Sequence, residues 1–341
     1  MFEQVSHNRT ETLVDPFGRT IDYVRLSVTD RCDFRCIYCM PRDVRFLPKP
    51  EVLTLEELER LGLALIDLGV KKIRLTGGEP LVRKGILELF QTLGGYVKSG
   101  DLAELTLTTN ASQLTHFAGD LYAAGVRRIN VSLDSLDPET FERISRPGNF
   151  RGVMAGIETA LEAGLKLKIN TVALKGVNGH EISSMVAWCG EKGMDLSLIE
   201  TMPVGVVDGL RGEHYLPLPK VRDALMVDWT LEKSDFQTAG PSRYYTVVET
   251  GQKIGFITPL SQNFCENCNR IRITCTGTLY MCLGQSDKVD LREVLRGSNS
   301  NEPLKDAIRA AIAIKPKAHD FNTALAGEQA AVRRTMNVTG G

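Results

Sequence analysis

The chain has 341 residues, 43% of them hydrophobic, which is ample for a sizeable core and too long for one average domain; a large barrel or two domains would fit. Its 41 Lys and Arg nearly cancel its 42 Asp and Glu, which argues against nucleic acid or a membrane surface as partner and leaves any anion site to a local cluster. The opening MFEQVSHNRT shows no basic stretch leading into an apolar one, and the apolar run LGLALIDLGV is short and broken by Asp67, so a cytoplasmic protein is expected.

From Ile21 onward, β-like runs alternate with amphipathic helical stretches. DYVRLSV is β-like, and the helix after it starts at Thr54, whose spacing to Glu57 makes a capping box. KKIRL leads through TGGEP to a helix over 86–97, ELTLTT to one over 112–124, and RRINVSL to helices around Pro138 and Val153. LKINTV precedes a helix from Gly179 to Lys192, and MDLSLIE one from Leu218 to Met226. Six such strand–helix repeats predict right-handed βαβ units and a parallel sheet. Polar residues collect just after the strands, in TGGEP, Thr108–Asn110, Ser132–Ser135 and Glu200–Pro203, where α/β barrels place their chemistry. Six units are too few to close an eightfold barrel. The fold class expected is therefore α/β, a partial (β/α)6 TIM-type barrel with one open side, and a doubly wound open sheet is the alternative. Past residue 235 the texture changes to short strands with Gly turns, YYTVVETGQKIGFITPL and RIRITCTGTLYMCL, then helices near Leu291 and from Pro303 to Ile314. We assign 1–235 to the barrel and 236–341 to a smaller C-terminal α+β domain that closes its open side.

The eight cysteines form two groups with only Cys189 between them, and in a reducing compartment such groups are metal ligands rather than disulfides. Cys32, Cys36 and Cys39 follow the first strand as C-x3-C-x2-C. Three thiolates satisfy three irons of a cubic [4Fe–4S] cluster and leave the fourth open, while a zinc knuckle with a distant fourth ligand is the alternative. Cys265, Cys268, Cys275 and Cys282 lie within eighteen residues and by spacing alone could make an all-cysteine zinc site.

The first cysteine motif together with Gly77-Gly78-Glu79-Pro80 after the second strand resembles the radical SAM superfamily. With FCENCNRIRITCTGTLYMCL near the other end, and TLTTN, INVSLDSLD, INTV and IETMP between, nearly the whole chain resembles one of its families, the GTP 3′,8-cyclases. That resemblance implies a [4Fe–4S] cluster on Cys32, Cys36 and Cys39 whose open iron chelates S-adenosylmethionine (SAM). It also implies a second [4Fe–4S] cluster on Cys265, Cys268 and Cys282 whose open iron takes the purine of GTP; Cys275 has no counterpart. Tyr38, Gly78, Ser132 and Met202 match SAM-contacting positions. Arg25, Arg74, Thr108, Lys168, Arg270, Ile271 and Arg272 match positions that bind GTP, whose charge needs a local set of cations. The reaction implied is reductive cleavage of SAM, removal of the ribose 3′ hydrogen and closure onto purine C8, the first step of molybdenum cofactor biosynthesis. A cyclic pyranopterin monophosphate synthase would act downstream, a flavodoxin or ferredoxin would donate electrons, and the chain would be a monomer or homodimer. Arg270, Arg272 and the terminal Gly340 and Gly341 match the catalytic set, the double glycine threading toward the active site. Ser197 departs from the family, which commonly has a basic residue there. Other readings are a radical SAM enzyme with a different substrate and an auxiliary cluster, or a zinc-dependent binding module.

Overall fold

The computed structural model describes residues 12–205, 207, 211–237, 240–262, 265–319, 321 and 330–340. The barrel elements run in the expected order: β1 (Tyr23–Ser27), α1 (Leu55–Asp67), β2 (Lys72–Thr76), α2 (Ile86–Ser99), β3 (Glu104–Thr109), α3 (Leu114–Ala123), β4 (Arg128–Ser132), α4 (Pro138–Ser145), α5 (Phe150–Glu162), β5 (Lys166–Val172), α6 (Ile182–Glu191), β6 (Asp195–Ile199) and α7 (Leu218–Leu225). After them come β7 (Leu231–Lys233), β8 (Arg243–Val247), β9 (Lys253–Ile257), β10 (Arg270–Ile273), β11 (Thr278–Tyr280), β12 (Lys288–Asp290), α8 (Leu291–Gly297), α9 (Glu302–Ile312) and the short α10 (Met336–Thr339).

Local chemistry accounts for several of these boundaries. Thr54 accepts a hydrogen bond from Glu57 N at 3.2 Å while Glu57 accepts one from Thr54 N at 2.8 Å, so α1 opens with the complete capping box. Asp137 caps α4 by accepting from Thr140 N, with Pro138 at the first helical position, where its missing N–H costs nothing.

β1 to β6 pair in sequence order, all parallel. The later strands build on both edges of this array. β9 pairs parallel with β6 and carries β8 and β7 antiparallel beyond it; β10 pairs parallel with β1 and carries β11 and β12. Residues 258–269 thus take the chain from one edge of the parallel array to the other. Ile257 at one edge and Arg272 at the other line the same cavity, so the sheet is curled into a partial barrel.

Side chains alternate as strand geometry requires. Val24, Leu26, Ile73, Leu75, Leu105, Leu107, Ile129, Val131, Leu167, Ile169, Leu196 and Leu198 point outward into the main hydrophobic core, which the helices complete. The inner face is polar, and it holds the site. No helix among the described residues is long and apolar enough to cross a membrane.

Candidate active site

One cavity of about 280 Å³ lies inside the curled sheet, and both cysteine triads open onto it. So do all the other candidate residues except the terminal glycines: Tyr38, Gly78, Ser132 and Met202, and Arg25, Arg74, Thr108, Lys168, Arg270, Ile271 and Arg272. Strand alternation brings them there. Residues 23 and 25 of β1, 72, 74 and 76 of β2, 128, 130 and 132 of β4, and 168, 170 and 172 of β5 all face inward.

The loop carrying Cys32, Cys36 and Cys39 is held by its neighbours. Arg35 N and Ile37 N donate to Ser145 O and Ile144 O, both at 3.0 Å. Asp33 accepts from Asn110 Nδ2 at 2.7 Å and from Ser112 Oγ at 2.6 Å. Gly78 packs its backbone so closely on residues 30 and 31 that any side chain would collide with their carbonyls, and its N–H donates to Thr29 O at 2.8 Å. Glu79 beside it is fully buried and accepts from Leu81 N, Thr109 Oγ1 and Asn110 N, tying the ends of β2 and β3 together. Burial pushes its pKa up to about 8. Tyr38 Oη donates to Asp134 Oδ2 at 2.6 Å, and burial raises Asp134 to about 6 even though it accepts this bond and one from Val172 N. The thiols of this triad are all raised, chiefly by burial; Glu79 adds to the effect at Cys32, and Asp134 at Cys36 and at Cys39, which reaches about 12.

The second triad has a different electrostatic setting. Cys265 and Cys268 sit on the segment that crosses between the edges, and Cys282 just after β11. Burial raises Cys265 and Cys282 against the pull of nearby cations. At Cys268 burial also opposes the thiolate, but Arg270 and Lys315 outweigh it and hold the pKa below its ordinary value. Arg19 Nη1 donates to Cys265 O at 2.8 Å and Arg334 Nη2 to Cys282 O at 3.3 Å. Cys275 is fully buried behind β10, away from the cavity, and its carbonyl accepts from Leu53 N at 2.8 Å.

The donor sets fit iron–sulfur cubanes. All six candidate ligands are free thiols. Among the described residues no three Cys, His, Asp or Glu side chains converge on one metal ion, a convergence that a cubane, taking each thiolate on a different iron, does not require. On the inner face, Arg74 Nε, Thr76 Oγ1, Thr108 Oγ1 and Asn130 Oδ1 are buried without a hydrogen-bond partner among the described residues, polar atoms that a bound ligand could satisfy.

Reasoning from the sequence missed Tyr23, Lys72 and Arg128 in this lining, although Tyr23 and Lys72 stand two residues before Arg25 and Arg74 and so share their face. Lys72 and Arg128 are paired with Glu104 at 2.5 and 2.7 Å. Burial disfavours the Tyr23 phenolate, but Arg74, Arg25 and Lys72 outweigh it and bring the group down to about 7. At Ser197, β6 offers a buried hydroxyl with no hydrogen-bond partner among the described residues. The Tyr244 ring lies against neighbouring Gly255, and its hydroxyl accepts from Lys168 Nζ at 3.1 Å.

The C-terminal turn reaches the site. Gly340 O accepts a hydrogen bond from Arg272 Nη1, Asn337 Nδ2 donates to Asp30 O at 3.0 Å, and Gly340 has φ +82° with Thr76 where a side chain would be. Gly341 lies outside the described residues.

Residues 26–189 match the family model described as Radical SAM superfamily, and residues 194–321 match Molybdenum Cofactor Synthesis C. The chain is 56% identical to a GTP 3′,8-cyclase of Sinorhizobium medicae over 97% of its length and 95% of that protein's. It is also 56% identical to one of Mesorhizobium japonicum, over 96% of this chain and 99% of the other. Among solved structures, Streptococcus suis SuiB bound to S-adenosylmethionine superposes with a TM-score of 0.59 at 16% identity, over 94% of this chain and 78% of that one, a likeness of fold. With both family models matched and near-full-length relatives at this identity, the chain belongs to the GTP 3′,8-cyclase family of radical SAM proteins.

Proposed function

We propose that this chain cyclises GTP to (8S)-3′,8-cyclo-7,8-dihydroguanosine 5′-triphosphate, the first step of molybdenum cofactor biosynthesis. The observation that carries this reading is that two cysteine triads and a set of inward-facing cations share one cavity. Membership of the superfamily brings a [4Fe–4S] cluster and SAM. Cys32, Cys36 and Cys39 would hold that cluster, and Cys265, Cys268 and Cys282 a second. When bound, the first cluster and SAM supply the one-electron chemistry that removes a hydrogen atom, and the second cluster an open iron for the purine.

The chain's own part is binding, orientation and exclusion of water. Arg25, Arg74, Lys168, Arg270 and Arg272 bind the triphosphate, and Thr108 offers a hydroxyl that has no hydrogen-bond partner among the described residues. Tyr38, fixed by Asp134, presents its ring to the adenine, while Gly78, Ser132 and Met202 line the methionine end. Arg272 spans substrate and Gly340, so the C-terminal turn is coupled to the site it covers. Sealing matters because water inside would weaken each of these charged contacts and admit side reactions.

Cyclic pyranopterin monophosphate synthase would consume the product, and a flavodoxin or ferredoxin would supply electrons to a monomer or homodimer. The deciding experiment is anaerobic reconstitution followed by incubation with SAM, GTP and dithionite. Formation of 5′-deoxyadenosine that depends on GTP is expected; SAM cleavage indifferent to GTP would overturn the reading.

A further inference from the structure

Lys315, just after α9, is only 2% exposed. Its ammonium donates to Met281 O at 2.6 Å and lies 3.9 Å from Cys268 Sγ. No carboxylate among the described residues stands within ion-pair distance of it; nearby Asp15 is engaged by Arg19 at 2.5 Å. A buried ammonium without a countercharge is strongly disfavoured, so the anion that keeps this one in place has to be sought among its actual neighbours. Those neighbours are Cys268 and, through the carbonyl of the residue before it, Cys282. The first triad has the opposite company, with Asp33 Oδ1 3.9 Å from Cys32 Sγ and Asp134 joined to Tyr38 beside Cys39.

We propose that Lys315 is the counter-ion of the second triad and its cluster, a positioning residue that favours the cluster's reduced state and sets its potential apart from that of the first. The inference rests on the reading that Cys265, Cys268 and Cys282 hold a [4Fe–4S] cluster. With three thiolates, the oxidised cubane carries one net negative charge; one electron from an external one-electron donor makes it two, with no bond broken and no proton moved. A fixed ammonium beside a coordinating sulfur stabilises the second charge state more than the first, and an N–H directed at that sulfur acts in the same sense.

The test is an anaerobic redox titration of the reconstituted full chain with dithionite, followed by electron paramagnetic resonance in the absence of GTP. A Cys265→Ser, Cys268→Ser, Cys282→Ser variant assigns the first cluster's signal. Lys315→Met should lower the second cluster's midpoint by at least the equivalent of a tenfold change in its reduction equilibrium, about 59 mV for one electron. The first midpoint should not move, and Lys315→Arg should stay near wild type. Unchanged midpoints in Lys315→Met, equal shifts of both clusters, or a Lys315→Arg shift as large as that of Lys315→Met would each overturn the proposal. If Lys315→Met does not retain the second cluster, Lys315→Gln, uncharged but able to hydrogen-bond Met281 O, replaces it under the same criteria. Retention by Lys315→Arg but by neither neutral variant supports the cation's role; loss in all three refutes it. Wild type loading with about four irons instead of about eight would remove the second-cluster reading and this proposal together. Two clusters with unmoved midpoints would remove this proposal alone.

Discussion

Tyr23 faces two of the cations proposed to hold the triphosphate, with Arg25 Nε 3.5 Å from its hydroxyl and Arg74 over its ring, and Lys72, paired with Glu104, also lies over the ring. With a pKa of about 7, its phenolate forms above neutrality and neutralises the charge that GTP needs. Bound triphosphate favours the protonated phenol, so binding takes up a proton, and affinity is full below the free-state pKa and falls as pH rises through it. Calorimetry of GTP binding from about pH 6 to 9 should show this decline in wild type and a flatter profile in Tyr23→Phe; parallel profiles would exclude the mechanism. At Gly340 the backbone is left-handed and a side chain would run into Thr76. Gly340→Ala should lower turnover several-fold, with iron content and melting temperature close to wild type, because it displaces the carbonyl that Arg272 holds. The cysteine triads stood out in the sequence by their spacing, a local property, and Arg25 and Arg74 by their match to family positions; all of them line the one cavity. Lys315 did not: its partners lie 34 and 47 residues away, and nothing in IKPK marks a lysine as buried.

Among the elements, the start of the crossing, at residues 260 and 261, is held by one carboxylate. Glu200 is fully buried at the end of β6 and accepts from Leu218 N, the first residue of α7, from Leu260 N and Ser261 N, all at 3.1 Å, and from Ser261 Oγ at 2.5 Å. Hydrogen bonds to a charged acceptor are worth about 1.5–3 kcal/mol each, and an amide would turn donors toward donors. Glu200→Gln should therefore loosen the start of the crossing and reduce loading of the proposed second cluster, taking iron from about eight toward about four per chain while SAM binding persists. Full iron content in this variant would show that Cys265 and Cys268 do not rely on Glu200. The six strand–helix repeats were legible because each rests on local periodicity and, at α1, on the cap at Thr54; the Asp137 cap of α4 is seen only in the structure. The placement of β9 and β10 on opposite edges was not legible either, since sheet order is decided by pairings between strands far apart in sequence.

For the whole molecule, the second triad is a clasp. Two of its thiols belong to the segment joining the sheet's edges, and the third follows β11 on the β10 side. Binding free energy at such a site is also folding free energy, so losing the cluster proposed there should loosen the elements it joins before the rest. In the Cys265→Ser, Cys268→Ser, Cys282→Ser variant, hydrogen exchange should quicken in β10 to β12 and in 258–269 while β2 to β5 keep their protection. Equal acceleration throughout would show that the clasp holds the entire fold.

The pairing of β1 with β10, Tyr23 opposite Arg270, also imposes an order in time. At about 5–20 residues per second of translation, roughly 12 to 50 s separate the synthesis of these two partners. During that interval β1 has β2 on one side and an unpaired backbone edge on the other, and Cys32, Cys36 and Cys39 wait without the C-terminal turn that later docks on their loop. The nascent chain thus carries its first cysteine motif through most of its synthesis before the C-terminal turn can cover that loop.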